Sequence, residues 1–188
     1  FVTSAPAEQK SIVESNYGLE PSQVILTGLP RFDRLVSAKD RRQKQVLLMP
    51  TWRKTVRDIL QRNPEQAEEL LAQTDFYRFY NSLIHHPALL QKMRQLGYSG
   101  KFLLHPMMQD YTQFDEETFL AGQMYDRGYF DYRRDGFGPV CTDLDSTVAA
   151  ICAALDADCA LQAPYTDRVA HFYAYHDDQN ARRVYDAV

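Results

Sequence analysis

Two short stretches and one turn hold the residue types that chemistry would need. Residues 101–106 read Lys-Phe-Leu-Leu-His-Pro, an apolar run ending in His105 set against Pro106. Proline disfavours α geometry at the residue before it, so His105 is expected to be extended, at the tip of a buried strand. Open α/β sheets gather ligand chemistry at the carboxyl ends of such strands. An imidazole with an ordinary pKa of about 6.5 can serve there as a general acid or as a donor to phosphate oxygens. The alternative is a buried structural histidine. Residues 46–53, Val-Leu-Leu-Met-Pro-Thr-Trp-Arg, repeat the pattern of apolar run, proline and polar tip. Thr51 offers a hydroxyl, Trp52 a stacking face and Arg53 a guanidinium that can hold a phosphate through two parallel hydrogen bonds. A helix starting at that tip would add free amides, an anion site in themselves. The competing reading is a surface arginine over a core tryptophan. Arg31 and Asp33, just after the Gly28-Leu29-Pro30 turn, would line the same edge or pair locally and stabilise the turn. Two strand tips in one small domain point to one site.

The elements that must position these residues keep an αβ rhythm. Residues 1–4 read as the end of a strand. A helix over 5–17 comes next, with Ser4 as N-cap, Pro6 in its first turn and Gly18 at its end. Residues 24–27 (Val-Ile-Leu-Thr) form a short buried strand, and 31–35 a short helix or turn. The order βαβ favours a parallel sheet. Residues 39–44 are a charged connector into the 46–49 strand. A helix begins at Pro64, and Phe76, Phe79, Tyr80 and Leu83 continue it as an apolar stripe at helical spacing. His85 and His86 point two ways on a helix, which makes a shared metal improbable. Residues 88–96 form a further helix, with Leu89, Leu90, Met93 and Leu96 inward and Gly97 as its stop. Residues 107–117 carry no strand signal. The aromatic-rich stretch 122–138 reads as an irregular, partly exposed connection. Asp143 or Asp145 caps a helix over 146–156 that buries Val148, Ile151, Cys152 and Leu155. Residues 166–176 and 181–188 are helical, with a polar break at 177–180. The strands thus run out after His105, as though a few dozen residues were missing there.

Composition bounds the class. The 188 residues, 45% apolar and 24% charged, fit one ordinary folded domain. A formal net charge of −4 gives no general attraction to nucleic acid. Three cysteines without a CxxC pair suggest neither a disulfide framework nor a zinc site. No run of 18 apolar residues is present to span a membrane. There is no phosphate loop, dinucleotide fingerprint, HExxH or GxSxG. The chain opens at Phe1-Val2-Thr3, with neither initiator methionine nor signal peptide, and is expected to be cut from something longer.

The segments Thr27-Gly-Leu-Pro-Arg-Phe-Asp33, Met49-Pro-Thr-Trp-Arg53 and Leu104-His-Pro106 resemble the CDP-glycerol glycerophosphotransferases, the teichoic acid primases and polymerases. Gln113-Phe-Asp-Glu-Glu117, Arg127-Gly-Tyr-Phe-Asp-Tyr132 and Gly136-Phe-Gly-Pro139 resemble the region downstream of that family's active-site segment, and residues 177–184 fit its usual tail. The motifs occur in the same order along nearly the whole chain. The resemblance implies an α/β, Rossmann-like parallel sheet with flanking helices and a helical C-terminal third. It would be the nucleotide-binding, C-terminal half of a GT-B fold, a single domain over 1–188. It implies transfer of a polyol phosphate from CDP-glycerol, or a related CDP-polyol, to a hydroxyl of a lipid-linked glycan acceptor in teichoic acid synthesis. No cofactor, metal or nucleic acid is implied. The expected place is the cytoplasm, peripherally on the inner face of the plasma membrane, held by parts outside this chain. His105 matches the family's essential histidine, a diphosphate contact or leaving-group partner. Arg53 and Arg31 match positions near the donor, and Thr51, Trp52 and Asp33 beside them are candidate substrate contacts. The family's other catalytic histidine belongs to an N-terminal half absent from this sequence. Its Thr-Asp-Tyr-Ser-Ser turn, which grips the donor phosphate, is missing between Thr112 and Gln113, so this chain alone is expected to be incompetent as an enzyme. A nucleotide-sugar glycosyltransferase and a truncated, non-catalytic binding module are the alternatives.

Overall fold

A computed structural model describes residues 1–15, 18–37, 43–51, 56, 58, 62–103 and 129–187. Most of the charged connector, the tips at Trp52, Arg53 and His105, and the stretches at 107–117 and 122–128 lie outside the described residues. In chain order the described elements are β1 (Val2–Thr3), α1 (Pro6–Glu14), β2 (Ile25–Leu26), α2 (Asp33–Ser37) and β3 (Gln45–Leu48). Then come α3 (Ala67–Ala72), α4 (Asp75–Ile84), α5 (Pro87–Leu96), β4 (Ser99–Phe102), α6 (Tyr132–Asp135), α7 (Leu144–Asp156), α8 (Tyr165–Phe172) and α9 (Asn180–Asp186). The class is α/β with parallel strand pairs, and its last third is helical, as the sequence indicates. The described residues gather into two compact units. One takes in those within Phe1–Gln43, Arg127–Val140 and Leu161–Val188, the other those within Lys44–Asp126 and Cys141–Ala160.

In the first unit β1 and β2 pair in parallel, Val2 opposite Ile25 and Thr3 opposite Leu26, with α1 as the crossover. Proline opens α1 because its missing N–H would have had no helical partner anyway. Ser4 does not cap it in the usual sense. Its backbone N and Oγ both donate to Glu8 Oε2 (2.8 and 2.9 Å), so the first turn of the helix holds the strand end. Ala5, Thr3, Thr27 and Val24 are buried beneath this βαβ unit. The described residues between 129 and 138 are mostly irregular and partly exposed, as expected, but some of their aromatic rings pack together. Phe130 and Phe137 each meet Phe172 of α8 edge-on at 5.3 Å, and Phe137 also meets Tyr173 at 5.6 Å. Aromatic rings bury large areas and favour perpendicular contacts, so a run of them seeks a core even without regular structure. The helix expected over 166–176 stops at Phe172, because the Ala174 N–H donates to the Ser4 carbonyl (3.1 Å) and pulls the chain onto the end of β1.

In the second unit β3 and β4 pair in parallel, from Gln45 opposite Ser99 to Leu48 opposite Phe102. Leu83 of α4, Leu89 and Met93 of α5, and Val148 and Leu155 of α7 form its core, with Val46, Leu48, Phe79 and Tyr80 packed against it. These are the faces that the helical period predicts. The helix expected to run on from Pro64 breaks in two, because the Thr74 Oγ bonds the Leu71 carbonyl (2.6 Å) and accepts from Tyr77 N, capping α4 afresh. Asp143 caps α7 by accepting from Ser146 N at 2.7 Å. Gly97, at φ 73°, supplies the left-handed residue that ends α5. One expectation is corrected. β4 is not buried: all four of its residues are exposed, and Leu47, Met49, Phe102 and Leu103 nearby show apolar surface. A parallel strand is buried only when both faces are covered, and among the described strands β3 is its sole neighbour.

Candidate functional site

The second unit holds the two strand tips. Because β3 and β4 are parallel, both leave the sheet at the same edge. Their last paired residues are Leu48 and Phe102, and the Leu103 N–H still donates to the Leu48 carbonyl at 2.8 Å. Counted along the chain, Thr51 and His105 each stand three residues beyond that pair. Pro50 is buried between exposed Met49 and exposed Thr51. His105, Trp52 and Arg53 themselves lie outside the described residues.

The first unit holds Arg31 and Asp33, on a turn whose geometry is densely fixed. β2 ends at Leu26. The Gly28 N–H donates to the Thr3 carbonyl (3.0 Å) and the Phe32 N–H to the Leu29 carbonyl (2.8 Å). Pro30 starts the helical turn that runs on into α2. Arg31 is exposed, with its guanidinium carbon 5.5 Å from the centre of the Phe32 ring. Phe32 in turn meets Tyr173 edge-on at 5.7 Å. Arg31 and Asp33 do not pair as a local ion pair. The Asp33 Oδ1 accepts from the Asn180 backbone N (3.0 Å) and from its Nδ2 (2.6 Å), and Oδ2 accepts from Ala181 N (2.9 Å). These N–H groups, that of Ala181 first, hold the Asp33 carboxyl below its ordinary pKa. Asn180 opens α9 and is buried. Its Oδ1 accepts from Arg183 Nη1 at 3.3 Å. Arg183 lies 3.7 Å over the Tyr175 ring and pairs with Asp177, and the Tyr175 hydroxyl donates to the Leu26 carbonyl at 3.4 Å.

Among the described residues no cluster of three or more His, Cys, Asp or Glu is arranged to hold a metal ion, and no helix is long and apolar enough to cross a membrane. The cysteines are free thiols.

Residues 1–116 and 122–188 match the family described as CDP-Glycerol:Poly(glycerophosphate) glycerophosphotransferase. The chain belongs to this family. A curated relative, the minor teichoic acid biosynthesis protein GgaB of Bacillus subtilis (strain 168), is 26% identical over 239 residues, covering 100% of this chain and 26% of the relative. The chain therefore spans about a quarter of the length of that relative. No solved structure matches it. The aligned stretch of 239 residues is 51 longer than the 188 of this glycerophosphotransferase chain, so at least 51 of its positions have no counterpart here. The family match leaves out residues 117–121, a few positions beyond Thr112.

In this member of the glycerophosphotransferases, sequence reasoning singles out Arg31 and Asp33 but not Asn180, Tyr175 and Arg183, which surround that turn. Residues 177–180 read as a polar break between helices and, with 181–184, as the family's usual tail, with no contact to the Arg31 turn foreseen. The one weak signal is that Gln179 is a poor N-cap residue, which leaves the first amides of α9 open to water or to an acceptor elsewhere in the chain.

Proposed function

We propose that this chain is the donor-binding part of a polyol-phosphate transferase, built as the C-terminal half of a GT-B fold, that acts on CDP-glycerol or a related CDP-polyol in teichoic acid synthesis. The acceptor is a hydroxyl of a lipid-linked glycan, met at the inner face of the plasma membrane. The acceptor oxygen attacks the β-phosphorus, the bond from that phosphorus to the bridging oxygen breaks, and CMP leaves with the electron pair. A base outside this chain takes the hydroxyl proton. His105 donates to the diphosphate or the departing phosphate. Arg53, Thr51 and Trp52 hold and stack the donor, and Arg31 lends positive charge. Asp33 contributes through the turn that it anchors. The observation that supports this reading is the parallel register, which brings the carboxyl ends of β3 and β4, the strands that precede Thr51 and His105 in the chain, to one side of the sheet, the usual ligand position of an open α/β sheet.

The test is calorimetry of CDP-glycerol against UDP-sugars on a chain containing the family's complete C-terminal half. CDP-glycerol is expected to bind at least tenfold tighter, about 1.4 kcal/mol. Arg53→Ala is expected to weaken it by about 1.5–3 kcal/mol, the range for a hydrogen bond to a charged group. In the complete enzyme, with the part that supplies the base, His105→Ala is expected to lower transfer by about 10²–10⁴-fold. Equal affinity for the two nucleotide classes would sink the assignment. A second reading, a binding module that performs no transfer, draws on the 51 positions without counterpart. It predicts donor or glycan binding with no release of CMP.

A further inference from the structure

We propose that Asn180 is the positioning residue of the turn that presents Arg31, acting as a staple across both ends of that turn. The proposal rests on the reading of Arg31 as a donor contact. Asn180 is 2% exposed, and its carboxamide is engaged on both sides. Nδ2 donates to Asp33 Oδ1 at 2.6 Å and to the Asp177 carbonyl at 3.4 Å, while Oδ1 accepts from Arg183 Nη1 at 3.3 Å. The same carboxamide occupies the space where a side chain on Gly28 would begin. A Cβ there would lie 2.6 Å from Asn180 Cγ and closer still to Oδ1. Gly28 is also left-handed, at φ 75°, so both its backbone conformation and its missing side chain suit this contact.

One buried amide thus touches residue 28 and residue 33, with Leu29, Pro30, Arg31 and Phe32 between them. Capping of α9 alone would need only the backbone N–H groups of Asn180 and Ala181, and Asp33 already receives both. The side chain goes further, under the turn, where it fixes the path from Gly28 to Asp33. Asparagine suits the position because Asp33 needs a donor and Arg183 an acceptor, and a carboxamide is both. An aspartate there would set two carboxylates face to face.

The experiment compares the full-length protein with its Asn180→Ala, Arg31→Ala and Asn180→Ala/Arg31→Ala variants, by amide hydrogen exchange and by CDP-glycerol calorimetry. Asn180→Ala is expected to speed exchange at Phe32 while leaving Leu89, in the core of the second unit, unchanged, and to weaken CDP-glycerol about tenfold. The double variant is expected to bind no more weakly than the worse single one, because both changes remove the same contact. Unaltered exchange at Phe32, or losses that add in the double variant, overturns the proposal. Wild-type affinity in Arg31→Ala overturns the donor reading of the turn, and the Phe32 exchange still decides the staple. Asn180→Ser, which keeps a small polar side chain at the start of α9, is read in the same way if Asn180→Ala does not fold.

Discussion

Asp33 sets its negative charge against three N–H groups of residues 180 and 181, and this fixes how the first unit answers to acid. The folded pKa is depressed, so the stabilisation is fully present above the unfolded value of about 3.9. It is lost as pH falls through the lower, folded pKa. A carboxyl-carbon NMR titration is expected to place the Asp33 midpoint below that of ordinary aspartates, with the Ala181 amide shifting in parallel. A midpoint at or above the ordinary value would contradict the three bonds. The residue type is legible in sequence and its partner is not. Nothing near Asp33 in the chain signals residue 180, because a capping carboxylate need only be close in space to the helix it caps. The same limit applies to Arg31: its exposure follows from its type, while its place over Phe32 follows from packing.

At the level of elements, the helical faces of the second unit are the most legible part. Leu83, Leu89, Met93, Val148 and Leu155 all read as inward from their spacing, and all are buried. Leu83→Ala is expected to cost about 2–5 kcal/mol in urea unfolding, the range for a leucine removed from a packed core. A loss under about 1 kcal/mol, on the order of a surface change, would mean the core does not close around α4. Boundaries are less legible, because tertiary bonds decide them. Thr74 turns one periodic stretch into α3 and α4, and the bond from Ala174 to Ser4 ends α8 early. The apolar run places β4 two residues too late. Its start is set by the Ser99 N–H donating to the Lys44 carbonyl (2.9 Å), far back in the chain. Its exposure escapes sequence reasoning for a related reason. An apolar run reads as buried, and whether anything covers it depends on other strands.

On the scale of the whole molecule, the family is legible because its motifs keep their order, and the family match bears this out over residues 1–116 and 122–188. The donor chemistry is proposed for strand tips that the sequence also marks, through an apolar run and a proline. The exposed apolar residues at the ends of β3 and β4 suit a shortened chain. Insertion of the relative's extra positions, 51 or more, at the expected gap between Thr112 and Gln113 is expected to raise CDP-glycerol affinity at least tenfold, about 1.4 kcal/mol. It should also slow proteolysis at Leu103. Unchanged affinity and cleavage would show that the shorter chain lacks nothing the donor needs.

The interleaving of the two units has a further consequence, for the order in which the protein is made. A ribosome completes β1, α1 and β2 before it reaches the second unit, yet Phe172, Ala174 and Asn180, which close the first, emerge only after that unit. Until then the opening βαβ segment stands without the aromatic layer and without a partner for Asp33. The second unit has all its core residues once α7 is out, and so is able to close first. The sequence-distant pairing of Asp33 with Asn180 is thus a closing step, and it sets the moment at which the Arg31 turn takes its final shape.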